Sequence, residues 1–167
     1  RDITQKYGGT YEASAVGEVN VVTLMKKNNV VIGGEGNGGI IYPESHYGRD
    51  SLVGVALFLT HLANLKTTVS ALRASYPQYY MSKNKIELTP QIDVDAILEQ
   101  MTQKYQHEQI TTIDGVKIDF AEEWAHLRKS NTEPIIRIYS ESENEQKAND
   151  LAKQIIEDIL EITAQKA

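Results

Sequence analysis

Arg128, Ser130, Asn131 and Thr132 crowd into the stretch RKSNTEPIIRIYSE (residues 128–141), and Arg137 follows in the same stretch. These residue types suit a phosphate group. A guanidinium presents a planar fork of donors to two phosphate oxygens. The two hydroxyls and the amide add donors, and Asn131 tolerates the left-handed backbone that a tight turn can demand. Backbone N–H groups of residues 130–132 can converge on an anion. Strand alternation puts Arg137 on the face of Ile135 and Tyr139, with its head toward the turn. An ordinary polar hairpin with two surface arginines would use the same residues, and the residues alone leave both readings open.

A second stretch, IGGEGNGGIIYPESHYGRD (residues 32–50), holds five glycines among seven residues, around Glu35 and Asn37. No Lys-Ser/Thr follows, so it is not a phosphate-binding P-loop, and the dinucleotide spacing G-x-G-x-x-G before a helix is not met. Such a loop can bring backbone close to a ligand while projecting one carboxylate and one amide, a pair that suits vicinal sugar hydroxyls. A plain surface loop is the other reading. His46 lies in this segment and could approach a ligand or simply pack the loop.

The elements that must position these residues fall into two sets. In residues 1–66, RDITQKYGG reads as a helix end closed by Gly8, TYEAS and NVVIGG as strands, and GEVNVVTLMKKN as a helix. Asp50 or Ser51 caps SLVGVALFLTHLANL, a helix apolar nearly all round and therefore expected to be deeply buried. This alternation predicts part of an open α/β sheet. Residues 67–84 form a transition, with a short helix ended by Pro77 and the start of an extended segment, YYMSKNKIELTP, that runs to Pro90. Residues 85–167 read as helix, antiparallel strands, helix. DVDAILEQMTQKY carries one apolar face, and Asp114-Gly115 is a two-residue hairpin turn with both residues at positive φ. EWAHLR and PIIRIYSE are strands, and the last helix has an apolar face. The expected class is a partial α/β domain followed by an α+β domain, mostly antiparallel sheet with helices on one face.

The chain has 167 residues, net charge −6 and no cysteine. That length allows one ordinary domain or two small ones. No basic stripe suggests nucleic acid. Disulfides and thiolate metal sites are excluded, which fits a reducing compartment. The longest apolar run, LVGVALFL, is too short to span a bilayer, and no signal peptide is visible, so a cytoplasmic protein is expected. The chain begins at Arg1, within a helical pattern, and is expected to be a piece of a longer protein. An incomplete sheet leaves open edges, so a homodimer is also an expectation. His61 is expected to be structural, His107 exposed, His126 a sheet residue and Trp124 a packing residue. No Ser-His-Asp, Cys-His or metal constellation can be assembled.

GGEGNGGIIYPESHYGRD, followed by TTIDGVKIDF and LRKSNTEPIIRIYSE, resembles the α-D-phosphohexomutases, the phosphoglucomutase, phosphomannomutase and phosphoglucosamine mutase group. The likeness runs along essentially the whole chain, in order, and the Arg-x-Ser-Asn-Thr-Glu-Pro motif is its most specific part. It implies four domains in the whole protein: a first with a phosphoserine, a second with an Asp-rich loop for Mg²⁺, a third that reads sugar hydroxyls and a fourth that grips phosphate. Residues 1–66 would be the C-terminal half of the third, 67–84 a hinge and 85–167 the fourth. Glu35 and Asn37 would contact sugar hydroxyls of a hexose phosphate or bisphosphate. Arg128, Ser130, Asn131, Thr132 and Arg137 would hold the non-reacting phosphate. Many members have Ser in place of Asn37 and His in place of Gly39, which bears on sugar choice. The phosphoserine and Mg²⁺ motifs have no counterpart in this sequence, so the chain alone would be inactive and would depend on the missing N-terminal domains. A stand-alone phosphosugar-binding or interaction module is the alternative.

Overall fold

The structure, a computed structural model, describes residues 1–87, 92–130, 133 and 135–164. Asn131 and Thr132, two of the residues expected to bind phosphate, lie outside the described residues, as does the end of the extended segment at 88–90. The chain divides into two compact units, Arg1–Pro77 and Gln78–Ala167.

The first unit is mainly helical. Helix α1 (Asp2–Lys6) stops at Tyr7, and Gly8 then takes φ +70°. Helix α2 (Glu18–Asn28) closes on Asn29 in the left-handed conformation, and Met25 is its one buried side chain. Strands β1 (Gly33–Gly34) and β2 (Ile40–Ile41) form a two-residue antiparallel pair. Helix α3 (Ser51–Leu65) starts at Asp50, whose Oδ1 accepts the N–H groups of Leu52 at 2.9 Å and Val53 at 3.0 Å. Helix α4 (Val69–Ala74) starts at Thr68 in the same manner.

Three expectations for this unit are corrected. TYEAS forms no strand, and NVVIGG contributes only its two glycines, with Val31 76% exposed. Helix α3 forms where expected, but none of its side chains is buried, and Leu52 is 81% exposed. His61 is exposed with it. Hydrophobic periodicity reports what a helix can bury, whereas burial needs a facing layer. Here Gly54 of α3 rests on Ile40 of the hairpin, Val53 and Leu62 are half-buried, and most of its other apolar side chains are exposed.

The second unit is a five-stranded antiparallel sheet in the order β3-β7-β6-β5-β4, made of β3 (Tyr80–Glu87), β4 (Gln109–Thr111), β5 (Val116–Asp119), β6 (Trp124–Lys129) and β7 (Ile135–Ser142). Residues 80–84 are thus built into this sheet. Helices α5 (Val94–Lys104) and α6 (Glu145–Ala164) cover one face. Alternation explains the core. Val116 and Ile118, Ala125 and Leu127, and Ile136 and Ile138 point to the helices and are buried against Ile97, Met101, Ile155 and Ile159. Each of the valine, leucine, isoleucine and methionine side chains contributes roughly 1.5–3 kcal/mol when removed from water. The opposite face carries Lys117 and Asp119, Trp124, His126 and Arg128, and Arg137, Tyr139 and Glu141.

The Asp114-Gly115 turn differs from the expected two-residue form. Four residues separate β4 from β5, and only Gly115 has positive φ, at +74°. A longer connection reverses the chain with a single left-handed residue at its end, so Asp114 stays in the ordinary region.

The two helices are joined by a buried polar link. Asp158 of α6 accepts a hydrogen bond from Tyr105 Oη at 2.5 Å and from Lys104 Nζ at 2.5 Å, while Gln154 Nε2 donates to Tyr105 Oη at 3.1 Å. Burial is the main cause that pushes the Tyr105 phenol well above its ordinary range, so the group acts as a neutral donor. Removing an acceptor from a buried donor costs more than removing both members. Asp158→Ala should therefore destabilise the unit by about 1–3 kcal/mol and Tyr105→Phe by about 1 kcal/mol, read from urea unfolding midpoints. Equal midpoints for Asp158→Ala and wild type would contradict the link.

Candidate phosphate and sugar site

Register decides what the open face of the second sheet presents. Arg128 of β6 stands directly opposite Arg137 of β7, and Arg137 stands opposite Lys85 of β3. Three cations thus lie side by side across three strands. Lys85 Nζ meets Glu87 on its own strand at 2.8 Å, and no ion pair to Arg137 is found among the described residues. Like charges placed opposite in a sheet repel.

Asp114 offsets part of this charge. Its Oδ2 lies 3.1 Å from Arg128 Nε. That nitrogen is buried and has no hydrogen bond of good geometry, so the contact is Coulombic. Gly115 makes the approach possible: a Cβ there would overlap the Leu127 carbonyl oxygen of β6. The turn therefore lies flat against β6, and it also brings the Asp114 carbonyl to His126, whose Nε2–H donates to it at 2.6 Å. The sequence marks Asp114 only as a turn residue; its place beside Arg128 follows from the packing of one strand connection on the next strand.

Ser130 lies at the end of β6. Its N–H donates to the Ile135 carbonyl at 3.0 Å, and the Ile135 N–H donates to Glu133 at 2.8 Å. These bonds close the connection that contains RKSNTEP and set Arg128 and Arg137 at its base. Trp124 is half-buried on the same open face, with its Nε1–H donated to Glu141 at 2.9 Å and Lys117 over its ring.

In the first unit, Glu35 and Asn37 occupy the connection between β1 and β2. The Glu35 N–H donates to the Gly39 carbonyl at 3.0 Å, and the Gly38 N–H donates to the Glu35 carbonyl at 3.1 Å. Asn37 Oδ1 accepts the Gly39 N–H at 3.1 Å, and the residue is exposed. Glu35 is the more sheltered, and its Oε2 lies 3.9 Å from Arg49 Nη1.

His46 packs the loop. Its Nδ1 accepts the Gly48 N–H at 3.0 Å, so the proton sits on Nε2, 3.1 Å from Asp50 Oδ2. The backbone bond from Val53, followed by the His46 contact, holds the Asp50 carboxyl below its ordinary range.

No group of three or more His, Asp or Glu side chains that could hold a metal comes together among the described residues. The described residues therefore do not assemble a Mg²⁺ site. No described helix is long and apolar enough to cross a membrane.

Two measurements probe the open face. Arg137→Gln removes a like-charge contact, so without ligand it should stabilise the fold by about 0.2–1 kcal/mol, while the rise in thermal midpoint on adding phosphate should shrink. A fall in both would assign Arg137 a packing role only. Burial holds the His126 imidazole below its ordinary value of 6.5, helped by Arg128 and opposed by the Asp114 bond. The unfolded chain then binds more protons than the folded one below that value, so stability declines as pH falls through it. His126→Gln should flatten this decline in thermal midpoints recorded from about pH 8 to about pH 5.

The family model described as phosphoglucomutase/phosphomannomutase, alpha/beta/alpha domain III, matches residues 1–80, and that of the C-terminal domain matches residues 83–158. A phosphoglucosamine/phosphogalactosamine mutase of Sulfurisphaera tokodaii is 37% identical over 152 residues, covering 90% of this chain and 33% of that protein. A phosphoglucomutase/phosphomannomutase of Thermococcus kodakarensis is 36% identical over 151 residues, covering 89% and 33%. The chain thus spans about a third of the length of these relatives. Among solved structures, a phosphoglucomutase/phosphomannomutase family protein of Burkholderia thailandensis superposes with a TM-score of 0.73 at 20% identity, over 95% of this chain and 34% of that one. An Aspergillus fumigatus N-acetylphosphoglucosamine mutase, in complex with GlcNAc-6P and magnesium, gives 0.61 at 14% identity, over 94% and 38%. The chain belongs to the phosphoglucomutase/phosphomannomutase family, of which it carries domain III sequence followed by the C-terminal domain.

Proposed function

We propose that this chain is the sugar-phosphate-binding C-terminal region of a phosphohexomutase, an enzyme that interconverts hexose 1-phosphate and hexose 6-phosphate through a phosphoserine and a bisphosphate intermediate. The observation that carries the reading is the pair of arginines facing each other across β6 and β7. Such a pair costs energy when empty and favours a dianion between its members.

In this reading Arg128 and Arg137, with Ser130, Asn131 and Thr132 of the connection, hold the phosphate that does not react. Arginine forks and backbone donors accept a phosphate from several directions, which suits a sugar that must bind in two orientations. Glu35 and Asn37 meet the sugar hydroxyls. Residues 1–66 serve as the sugar-reading part and 85–167 as the phosphate-binding domain; of the segment 67–84, residues 80–84 begin β3 of that domain's sheet, so the part ahead of β3 serves as the hinge, and closure there would exclude water from the phosphoenzyme. The phosphoserine and the Mg²⁺ loop belong to the N-terminal domains of the same protein, so the chain by itself is inactive. In this reading the enzyme works in the cytoplasm, and this chain by itself pairs as a homodimer through open sheet edges.

Arg128→Ala in the full-length protein should lower kcat/KM on glucose 1-phosphate or mannose 1-phosphate roughly 10- to 100-fold, the loss of about 1.5–3 kcal/mol for a charge-assisted bond, with the thermal midpoint nearly unchanged. Full activity in that variant would remove the phosphate role from the connection.

A further inference from the structure

We propose that Arg49 is the positioning residue for Glu35, and that Gly39 is glycine because the Arg49 side chain needs the space a side chain would fill. The inference rests on the reading of Glu35 as a sugar-binding residue and adds what sets its direction.

Arg49 is anchored through its backbone N–H and its guanidinium. Its N–H donates to Glu18 Oε1 at 3.3 Å and its Nε–H to Glu18 Oε2 at 2.9 Å, so one carboxylate from the start of α2 grips residue 49 twice across 31 positions of sequence. The next residue is pinned as well: the Asp50 N–H donates to the Ile40 carbonyl at 2.8 Å, and its carboxylate caps α3. Between these anchors the aliphatic stem crosses the glycine loop. A Cβ on Gly39 would stand 2.6 Å from Arg49 Cδ and 3.1 Å from Cγ, closer than carbon atoms approach. Gly39 has ordinary backbone geometry, so space and not φ excludes a side chain there.

The far end of the guanidinium reaches Glu35. Nη1 lies 3.9 Å from Glu35 Oε2, an ion-pair contact longer than a hydrogen bond. The difference between the two carboxylates is the point. Glu18 is consumed by direct bonds, whereas Glu35 is steered by charge and keeps its acceptor positions for sugar hydroxyls. Glu18, Asn37, Gly39, Gly48 and Arg49 border one shallow depression of about 710 Å³, and Glu35 lines a second cavity of about 850 Å³ that shares Asn37 with it. A planar fork with fixed donors suits bridging two carboxylates, and an ammonium does not.

A residue acting only through Glu35 predicts a specific pattern in a double-mutant cycle. In the full-length enzyme, with glucose 1-phosphate, mannose 1-phosphate and glucosamine 6-phosphate as probes, Glu35→Gln and Arg49→Met should each lower kcat/KM roughly 10- to 100-fold, the cost of a misplaced binding group. The double variant should be no worse than Glu35→Gln alone. Gly39→Ala, which keeps the charge but displaces the stem, should reproduce Arg49→Met. Thermal midpoints should stay close to wild type, since the Arg49 side chain is 49% exposed. Additive losses, or a fully active Arg49→Met beside an impaired Glu35→Gln, would overturn the inference and leave the sugar role of Glu35 standing. A fully active Glu35→Gln, or a wild-type protein that turns over none of the three probes, would overturn the functional reading and this inference with it.

Discussion

The register between β6 and β7 is the constraint on which the second unit depends. Leu127 pairs with Ile138, and both are buried against the helices. Because side chains alternate, the neighbouring positions 128 and 137 must both face away from them, opposite each other. A slip of β7 by one residue would drive Arg137 into the core and turn Ile136 and Ile138 to water. The energy that fixes the register is thus apolar burial on one face, while the consequence lies on the other. Two positive charges are held together by a force that has no part in their own interaction.

The same logic explains Asp114. A carboxylate beside Arg128 lowers the local cost of the charge row, but it arrives there because Gly115 lets the β4–β5 connection lie against the Leu127 carbonyl. Among the described residues, Arg128 has such a carboxylate partner and Arg137 has none. In the proposed function, the residual positive charge is what a phosphate completes.

The first unit works differently. Its glycine loop has little backbone pairing: the two-residue β1–β2 pair, the bonds within the turn and the Asp50 N–H donated to the Ile40 carbonyl. Order comes from outside the loop, from Glu18 on α2, from the Asp50 cap of α3 and from Arg49 between them. A loop rich in glycine has high conformational entropy to lose, so these long-range anchors are the counterweight. His46 adds a local brace through Gly48 and Asp50.

Most of the second unit was legible in sequence. The apolar faces of α5 and α6 and the alternation of β5, β6 and β7 are local patterns, and local patterns survive folding when a partner layer is present. The helix start at Asp50 was legible for the same reason, since a cap involves only neighbouring residues. Residue type and motif single out Glu35, Asn37, Arg128, Ser130, Asn131, Thr132 and Arg137 as candidates, whose roles belong to the proposed function. It overstated the strands of the first unit and the burial of α3, because both depend on a facing surface that local patterns do not describe. It assigned Asp114 a turn geometry that the longer connection does not need. The opposition of Arg128 and Arg137, the contact of Asp114 with Arg128 and the bridge from Glu18 through Arg49 to Glu35 were decided by tertiary structure alone. Each joins residues distant in sequence, and chain periodicity carries no information about which distant carboxylate or cation a strand register or a loop anchor will bring within a few ångströms.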